Sequence, residues 1–263
     1  MQGSANLNLM IKAARKVGRG LVKDFREVEQ LQVSSKGPGD FVTRADRAAE
    51  ETLRAELLGA RPSYGWLGEE TGAAPGTDPT RRWIVDPLDG TSNFLHALPH
   101  WAVSIALEHK GEVVAAVVFD PAKDEMFFAE KGLGAYMNDQ RLRVSGRSRM
   151  IECLFATGVP FGGRPLLPAT LQDLARLMPA CAGVRRWGAA ALDLAYVAAG
   201  RLDGYWERGL SAWDIAAGIL LVREAGGFIG PVRPGDDPLD TGAVIAANAQ
   251  VFDPLTRLIR NEG

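Results

Sequence analysis

Apolar side chains recur at helical spacing near the start of the chain, with basic side chains between them. The apolar positions are Leu7, Met10, Ile11, Ala14, Val17 and Leu21, and the basic positions are Lys12, Arg15, Lys16, Arg19 and Lys23. The segment lacks the apolar centre of a signal peptide. We therefore predict an amphipathic helix that docks on the core and presents a solvated basic face. A surface for an anionic partner is the alternative interpretation.

A second helix is indicated by residues 43–46, Thr-Arg-Ala-Asp, which have the form of a capping box. Ala49, Leu53 and Leu57 follow at helical spacing and would face the core. Capping of this helix would by itself explain the presence of Asp46. Between the two helices, residues 31–41 are rich in serine and glycine. This composition favours a mobile loop or a hairpin that could close over a site as a lid.

Alternating apolar residues and turn signals predict β-strands through the middle of the chain. A short strand at 64–67 precedes Glu69, and a buried strand at 83–86 ends in a carboxylate. The remaining strands, which would form an antiparallel meander, are predicted at 101–107, 112–120, 125–130 and 134–138. Residues 71–80 contain several glycines and prolines and are predicted to form a surface loop.

From Leu154 onward, shorter strands alternate with helices. Helices are predicted at 171–177, 189–199, 213–224 and 252–259, and strands at 204–207 and 243–247. The first half of the chain is therefore predicted to have an α+β structure and the second half an α/β structure. We expect an N-terminal half over residues 1–148, which carries the antiparallel sheet and the main acidic motif, and a C-terminal half over residues 149–263. The two halves would pack together as one compact unit.

Composition narrows the class of protein. The chain has 263 residues, of which 46% are hydrophobic and 24% charged, and its net charge is -2. These values are typical of a globular protein with a large core, and they give no general attraction to nucleic acid or membranes. Cys153 and Cys181 are the only cysteines, which argues against structural zinc and favours a reducing compartment. No apolar run reaches membrane-spanning length, so we expect a cytoplasmic protein.

Residues 86–92, Asp-Pro-Leu-Asp-Gly-Thr-Ser, place two carboxylates within one turn of each other. Asp86 stands at the carboxyl end of a predicted strand, where open α/β sheets commonly bind ligands. Asp86 and Asp89 would repel each other unless a cation lay between them. Hard oxygen ligands next to the backbone N–H groups of Gly90 and its neighbours suit Mg²⁺ and a phosphate. An ordinary Asp-Gly turn after a strand is the alternative.

Four acidic residues lie at predicted strand ends or helix starts, where loops converge on a site. They are Glu69, Asp86, Asp89 and Asp214. Asp214 could instead serve only as a helix cap. The three histidines have no serine or cysteine partner at a recognisable spacing, and we interpret them as structural or surface residues. They are His96, His100 and His109.

Two long segments and several shorter ones resemble the inositol monophosphatase family. The long segments are WIVDPLDGTSNFL at 83–95 and WDIAAGILLVREAGG at 213–227, and the shorter ones are DFVTRAD at 40–46, GEE at 68–70, GAAALD at 188–193 and GYWE at 204–207. Their order spans nearly the whole chain. The resemblance implies a layered α-β-α-β-α sandwich of the inositol monophosphatase and fructose-1,6-bisphosphatase type, and a homodimer.

The resemblance also implies a metal centre of two or three Mg²⁺ ions, with Mn²⁺ as a possible substitute. The implied ligands are Glu69, Asp86 and the carbonyl of Leu88 for the first ion, Asp86, Asp89 and Asp214 for the second, and Glu69 with water for a weaker third. The attacking water would be oriented and deprotonated by Asp46, Thr91 and Glu69.

Substrate contacts are implied in the same way. Gly90 and Thr91 would donate backbone hydrogen bonds to phosphate, and Glu207 would bind the inositol hydroxyls. The remaining implied contacts are Asp89, Asp214 and the loop residues Gly188, Ala189 and Ala190. This loop follows the bulky Trp187 and carries no hydroxyl, and Ser211-Ala212 replaces a His-Cys pair of the animal enzymes. These departures leave the identity of the alcohol open.

We therefore expect a lithium-sensitive, Mg²⁺-dependent phosphatase that hydrolyses a small phosphate monoester with metal-activated water. The first candidate substrate is myo-inositol 1-phosphate, which would give inositol and phosphate. Fructose 1,6-bisphosphate, histidinol phosphate and adenosine phosphates are alternatives. An interaction protein of the transcription machinery, with the basic first helix as its contact, is the alternative from a different class. The four acids together argue against that alternative, because a mere scaffold does not need them.

Overall fold

Helices and β-sheets alternate in five layers, α-β-α-β-α. The computed structural model describes residues 3–27, 33–37, 40–160 and 165–262. Its helices are α1 (Ala5–Arg26), α2 (Arg44–Ala60), α3 (Thr91–Leu95), α4 (Leu167–Leu177), α5 (Ala190–Ala198), α6 (Ala212–Glu224), α7 (Pro238–Thr241) and α8 (Phe252–Arg260). Short 3₁₀ turns cover Met150–Glu152 and Met178–Ala180.

The strands of the described residues form a hairpin, an eight-stranded sheet and a five-stranded sheet. The hairpin pairs β1 (Val33–Gly37) with β2 (Asp40–Thr43). The larger sheet contains β3 (Tyr64–Gly68), β4 (Gly72–Ala74), β5 (Asp78–Asp89), β6 (Ala102–His109), β7 (Glu112–Asp120), β8 (Glu125–Glu130), β9 (Gly134–Met137) and β10 (Gln140–Arg141). The smaller sheet contains β11 (Leu154–Thr157), β12 (Gly183–Arg185), β13 (Gly204–Glu207), β14 (Phe228–Pro231) and β15 (Val244–Ala247).

The larger sheet is buried on both faces. Its order is β10-β9-β8-β7-β6-β5-β3-β4, and its pairs are antiparallel except for β3 with β5. Alternate residues of β6 point to opposite cores: Val103, Ile105 and Leu107 face α1 and α2, whereas Ala102 and Ala106 face α5 and α6. Burial on both faces explains why residues 102–107 of this strand are apolar apart from Ser104.

The smaller sheet has the order β12-β11-β13-β15-β14. β12, β11 and β13 run parallel, and β15 is antiparallel to both of its neighbours. Helices α4 and α8 pack on one face through Leu177, Leu255 and Ile259, and α5 and α6 lie on the other. The second half of the chain therefore forms a mixed sheet.

Helices α5 and α6 form the central layer between the two sheets. Every residue of α5 is buried, as expected for a helix that is covered on all sides. Small side chains bring the two helices close together, since a Cβ at Gly218 would lie 2.5 Å from the Cβ of Leu194. The Ala- and Gly-rich composition of α6 is thus a requirement of this packing.

Most of the predicted helices and strands are confirmed, but the surface loop predicted at 71–80 is wrong in part. β4 pairs with β3 within this stretch, and β5 begins at Asp78. Gly76 lies so close to an adjacent segment of the backbone that a Cβ there would be 2.3 Å from the carbonyl oxygen of Ser63. The glycines therefore serve a tight connection along the sheet, which composition alone does not distinguish from a free loop.

The hairpin predicted within 31–41 is present as the antiparallel pair β1 and β2. Residues 31, 32, 38 and 39 lie outside the described residues. Closure of this hairpin as a lid stays a prediction. The division of the chain after residue 148 stays a prediction as well.

Gly218→Ala should lower the free energy of unfolding by about 1–3 kcal/mol, because the added methyl group overpacks the contact between α5 and α6. Gly20→Ala is the matched control. Gly20 lies in α1, and a Cβ there would meet no described heavy atom within 4 Å, so this variant should gain roughly 0.5–1 kcal/mol from better helix propensity. Urea denaturation followed by circular dichroism measures both, and equal effects would contradict the close packing.

Candidate functional site

A bulge at the end of β5 brings two carboxylates together. β5 pairs with β6 as Asp86 with Ser104 and then as Asp89 with Ala102, so two residues of β5 stand opposite one residue of β6. Side chains three positions apart in a regular strand point to opposite faces, and the extra residue reverses this. The N–H of Leu88 donates to Oδ1 of Asp86 at 2.9 Å and holds the turn.

Asp86 and Asp89 are buried among other acids, with 2% and 8% of their surface exposed. Burial raises the pKa of Asp86 well above its usual range, and Glu69, Asp89 and Asp214 raise it further. Burial is also the main cause of the raised pKa of Asp89, followed by Asp214. The N–H of Ala191 donates to Oδ2 of Asp89 at 2.7 Å and opposes this rise. The four acids therefore share one electrostatic environment.

Glu69 and Asp214 reach this cluster from other elements. Glu69 follows β3, and its N–H donates to the carbonyl of Val85 at 3.2 Å. Asp214 lies in the first turn of α6, where its Oδ2 accepts from the N–H of Ser211 at 2.7 Å. The helix cap that the sequence offered as an alternative for Asp214 is therefore present. It uses one carboxylate oxygen and does not exclude a second role for the side chain.

Helices α2 and α3 meet at Asp46 and Thr91. Asp46 is completely buried in the first turn of α2, and Thr91 is the first residue of α3. The Thr91 hydroxyl lies 3.0 Å from Oδ1 of Asp46 and 3.1 Å from the carbonyl oxygen of Leu88. Its single proton can be donated to either acceptor. The hydroxyl thus connects α2 to the turn that carries the two buried aspartates.

Gly90 occupies a position that only glycine fits. Its φ of +90° lies in the left-handed region. A Cβ there would also lie 3.0 Å from the carbonyl oxygen of His100 and 3.3 Å from the Cβ of Ala189. Gly90 directly precedes α3, whose first N–H groups have no acceptor within the helix. Such groups are suited to bind an anion.

The loop 188–190 and Glu207 lie next to the acid cluster. The loop leads into α5, whose Ala191 N–H binds Asp89. Glu207 ends β13, and its Oε2 accepts from the hydroxyl of Tyr205 at 2.5 Å. Its charge contributes to the raised pKa of Asp89. The predicted substrate contacts and the predicted metal ligands are therefore neighbours in space.

Sequence reasoning missed three buried residues beside the site, Glu50, Asp193 and Tyr205. Asp193 is 1% exposed, and burial raises its pKa well above the usual range, with further contributions from Glu207 and Asp89. Asp193 and Tyr205 lie inside the segments GAAALD and GYWE that carry the family resemblance. Glu50 lies one helical turn after an implied catalytic aspartate, and this spacing was the signal available for it.

The surroundings of His100 disfavour its charged form. Burial, and then the positive charge of Lys123, lower its pKa to about 4, so its imidazole is neutral near pH 7 and only a weak base. Its ring packs against Trp187 and Tyr196. This agrees with the interpretation of this histidine as structural.

The acid cluster fits a divalent cation by its charge and donor chemistry. Buried carboxylates that repel one another are stabilised by positive charge, and hard oxygen donors suit Mg²⁺. Asp86, Asp89 and Asp214 each give one oxygen to a backbone N–H. Among the described residues, no group of three or more His, Cys, Asp or Glu side chains is already arranged to hold a metal ion.

A sequence profile of the inositol monophosphatase family matches residues 5–262. The chain belongs to the inositol monophosphatase family. The resemblance seen in the sequence is thereby confirmed. Members of this family are phosphoric monoester hydrolases that in general depend on metal ions, and the chain is an enzyme of this class.

Individual relatives cover nearly the whole chain. The inositol-1-monophosphatase of Mesorhizobium japonicum is 55% identical over 260 residues, which cover 99% of this chain and 98% of the relative. The Nus factor SuhB of Escherichia coli strain K12 is 43% identical over 256 residues, with coverages of 97% and 96%. The crystal structure of the extragenic suppressor protein suhB from Bartonella henselae has a TM-score of 0.95 at 51% identity and covers 99% and 100% of the two chains.

This likeness confirms the inositol monophosphatase fold, a mixed α and β sandwich. Each helix in the described part of this family member is too short or too polar to cross a membrane.

Asp89→Asn should raise the melting temperature by roughly 2–4 °C in EDTA at pH 8, because asparagine removes a repelling buried charge and still accepts from the N–H of Ala191. Asp173→Asn is the matched control. Asp173 is also buried but is paired with Arg176 and Arg208, so the loss of its charge should lower the melting temperature. Differential scanning calorimetry measures both. A lower melting temperature of Asp89→Asn would contradict the repulsion within the cluster.

Proposed function

We propose that this protein hydrolyses a small phosphate monoester with Mg²⁺, and that its first candidate substrate is myo-inositol 1-phosphate, which gives inositol and phosphate. One observation carries the proposal: the buried Asp86 and Asp89 share their surroundings with Glu69 and Asp214, and the charges of Glu69 and Asp214 add to the raised pKa of both aspartates. Such a cluster is costly in a folded protein unless cations bind it. The name of the Mesorhizobium relative supports the choice of substrate.

The metal ligands would be carboxylate and carbonyl oxygens, which suit Mg²⁺ and also accept Mn²⁺. We assign Glu69, Asp86 and the carbonyl of Leu88 to one ion, Asp86, Asp89 and Asp214 to a second, and Glu69 with water to a weaker third. Bound there, divalent ions neutralise phosphate charge and make water a stronger nucleophile at neutral pH.

Asp46 and Thr91 would orient the attacking water. The Thr91 hydroxyl is within 3.0 Å of Asp46 and can donate its proton to that carboxylate. Its oxygen then remains an acceptor for a hydrogen bond from water. Glu69 would take the proton as the water attacks phosphorus in line with the leaving alcohol. Water acts directly in this scheme, so no covalent intermediate on the protein is required.

Gly90 and Thr91 would bind the phosphate through their backbone N–H groups. The start of α3 provides donors without acceptors inside the helix. The missing side chain at Gly90 lets a phosphate oxygen approach this backbone closely. These two residues also link the phosphate to the turn that carries the acid cluster, because Gly90 follows Asp89 directly and Thr91 begins α3.

Glu207 and the loop 188–190 would bind the alcohol, together with Asp89 and Asp214. Tyr205 donates to Oε2 of Glu207, and Oε1 would accept from a substrate hydroxyl. Fructose 1,6-bisphosphate, histidinol phosphate and adenosine phosphates remain alternative substrates, because the residues that differ from the animal enzymes lie on this side of the site.

A role as a partner of the transcription machinery is the second candidate. It is favoured by the similarity to proteins named Nus factor SuhB. The basic face of α1 would be the contact, but Arg15 and Lys16 already pair with Asp124 at 3.8 Å and with Glu56 at 2.5 Å. Part of this face is therefore engaged within the protein.

A homodimer and a cytoplasmic location complete the proposal. The homodimer rests on the family resemblance. The location is supported by Cys153 and Cys181, which are both buried and not joined in a disulfide, as expected in a reducing compartment.

A substrate panel with Mg²⁺ tests the choice of alcohol. We expect the highest kcat/KM for myo-inositol 1-phosphate. Glu207→Gln should lower this value by about ten- to hundredfold, the range of a lost hydrogen bond to a charged group, with little change for p-nitrophenyl phosphate, which has no hydroxyl to bind. Glu112→Gln, at an exposed position on β7, is the matched control and should behave as wild type. A higher kcat/KM for another phosphate would exclude inositol phosphate as the preferred substrate.

Removal of metal tests the reaction class. EDTA should abolish turnover, Mg²⁺ should restore it, and millimolar lithium should inhibit it. Asp89→Asn should lower kcat by at least about a hundredfold, because it removes the negative charge of a proposed ligand of the second metal ion, which would neutralise the phosphate. Steady-state kinetics over a Mg²⁺ series measures these effects. Normal turnover of this variant, or of the wild type in EDTA, would count against the site.

A further inference from the structure

Glu50 is a buried carboxylate outside the proposed ligand set, with 1% of its surface exposed. Its Oε2 accepts from the N–H of Glu70 at 2.7 Å. Its Oε1 accepts from the N–H of Thr71 at 2.9 Å and from the Thr71 hydroxyl at 2.5 Å. Nε1 of Trp66 donates to that same hydroxyl at 3.1 Å. Two consecutive residues of one turn thus bind a single carboxylate.

The turn held by Glu50 is the turn that carries Glu69. The N–H of Glu69 is bonded to the carbonyl of Val85 in β5, and the next two N–H groups are bonded to Glu50 on α2. The backbone on both sides of the Glu69 side chain is therefore fixed to rigid elements. Such support sets how accurately a side chain can be presented to a ligand.

Gly68 shows that this contact depends on close approach. A Cβ at Gly68 would lie 2.6 Å from Oε1 of Glu50 and 2.5 Å from Nε1 of Trp66. A side chain at this position would push the carboxylate away from the turn. The sequence Gly-Glu-Glu thus places the acidic residue Glu69 next to a glycine, and the absence of a side chain at Gly68 leaves room for the carboxylate of Glu50.

The buried Asp173 is held differently. Asp173 is paired with Arg176 and Arg208, whereas the hydrogen bonds to Glu50 come from neutral groups of one turn. A carboxylate accepting neutral donors fixes their geometry strongly, because hydrogen bonds to an ionised group are short and strong.

Helix α2 links this support to the other half of the site. Asp46 and Glu50 are four residues apart and therefore lie on the same face of the helix. Asp46 contacts Thr91, and Glu50 holds the turn of Glu69. Four residues of α-helix rise by about 6 Å. One rigid helix thus sets the spacing between the proposed water-orienting pair and Glu69.

We propose that Glu50 is a positioning residue for the phosphatase reaction, which fixes the turn that presents Glu69 to Mg²⁺ and water. This inference rests on the proposed function. A residue with a purely structural role would change stability alone. A positioning residue also changes the affinity of the site for metal ions.

Glu50→Gln is the first test. Glutamine has nearly the same length but turns an NH₂ group toward N–H donors, so it breaks part of the contact. The half-saturating Mg²⁺ concentration for turnover should rise about ten- to hundredfold. The dissociation constant for Mn²⁺, measured by calorimetry without substrate, should rise by a similar factor. Excess Mg²⁺ should recover much of the lost kcat.

Gly68→Ala tests the same contact from the other side, because it displaces the carboxylate without altering its charge. It should shift the Mg²⁺ and Mn²⁺ responses in the same direction as Glu50→Gln. Glu51→Gln, at the next and exposed position of α2, is the matched control and should leave both responses unchanged. Amide hydrogen exchange at Glu70 and Thr71 should be faster in both test variants.

The outcomes separate this inference from the proposed function. If Glu50→Gln and Gly68→Ala are less stable but bind Mn²⁺ and respond to Mg²⁺ as the wild type does, the inference is wrong and the proposed function stands. If the wild type hydrolyses no phosphate monoester with Mg²⁺, the proposed function fails. If both variants unfold, Thr71→Val decides, since it removes one donor to Glu50. Unchanged Mn²⁺ affinity in that variant overturns the inference.

Discussion

Repulsion between buried carboxylates is the constraint on which the rest of this structure depends. Asp86 and Asp89 lie in a region from which water is largely excluded, next to Glu69 and Asp214, and their pKa values are raised by burial and by the charges of these two neighbours. A chain tolerates such an arrangement only where other interactions hold the backbone in place. Here two apolar sheets and a central helical layer supply those interactions, and the residues that bear the repulsion are the ones proposed to bind metal ions.

Rigid elements from distant parts of the chain build the site. The bulge of β5 aims two carboxylates the same way, the start of α6 adds Asp214, and the turn after β3 adds Glu69. Backbone N–H groups of Leu88, Ala191 and Ser211 reduce the repulsion, since each donates to a carboxylate of the cluster. The central layer matters for a second reason, because α5 and α6 contact both sheets and begin at the site.

Sequence reasoning failed where a residue's role depends on its partner in space. Residues 71–80 contain turn-forming residues, yet part of the stretch pairs with β3, because glycine lets the chain follow its neighbour closely. In the sequence, Glu50 is one more acidic residue on an amphipathic helix, and the neighbouring residues do not show that it is buried against the turn of Glu69. Asp214 is the opposite case, since the cap and the site role predicted for it as alternatives are compatible in the fold.

By itself, the sequence determined the helices and the antiparallel meander through their periodicity, and it determined the family through the motifs that carry Asp86, Asp89 and Asp214. Only the tertiary structure decided that these acids and Glu69 share one electrostatic environment, that a bulge turns Asp86 and Asp89 the same way, and that Glu50 holds the turn of Glu69. The physical reason is that periodicity records which face of an element is buried. The pKa of a group and the partners of its hydrogen bonds depend on distances between residues far apart in the chain, which local patterns do not record.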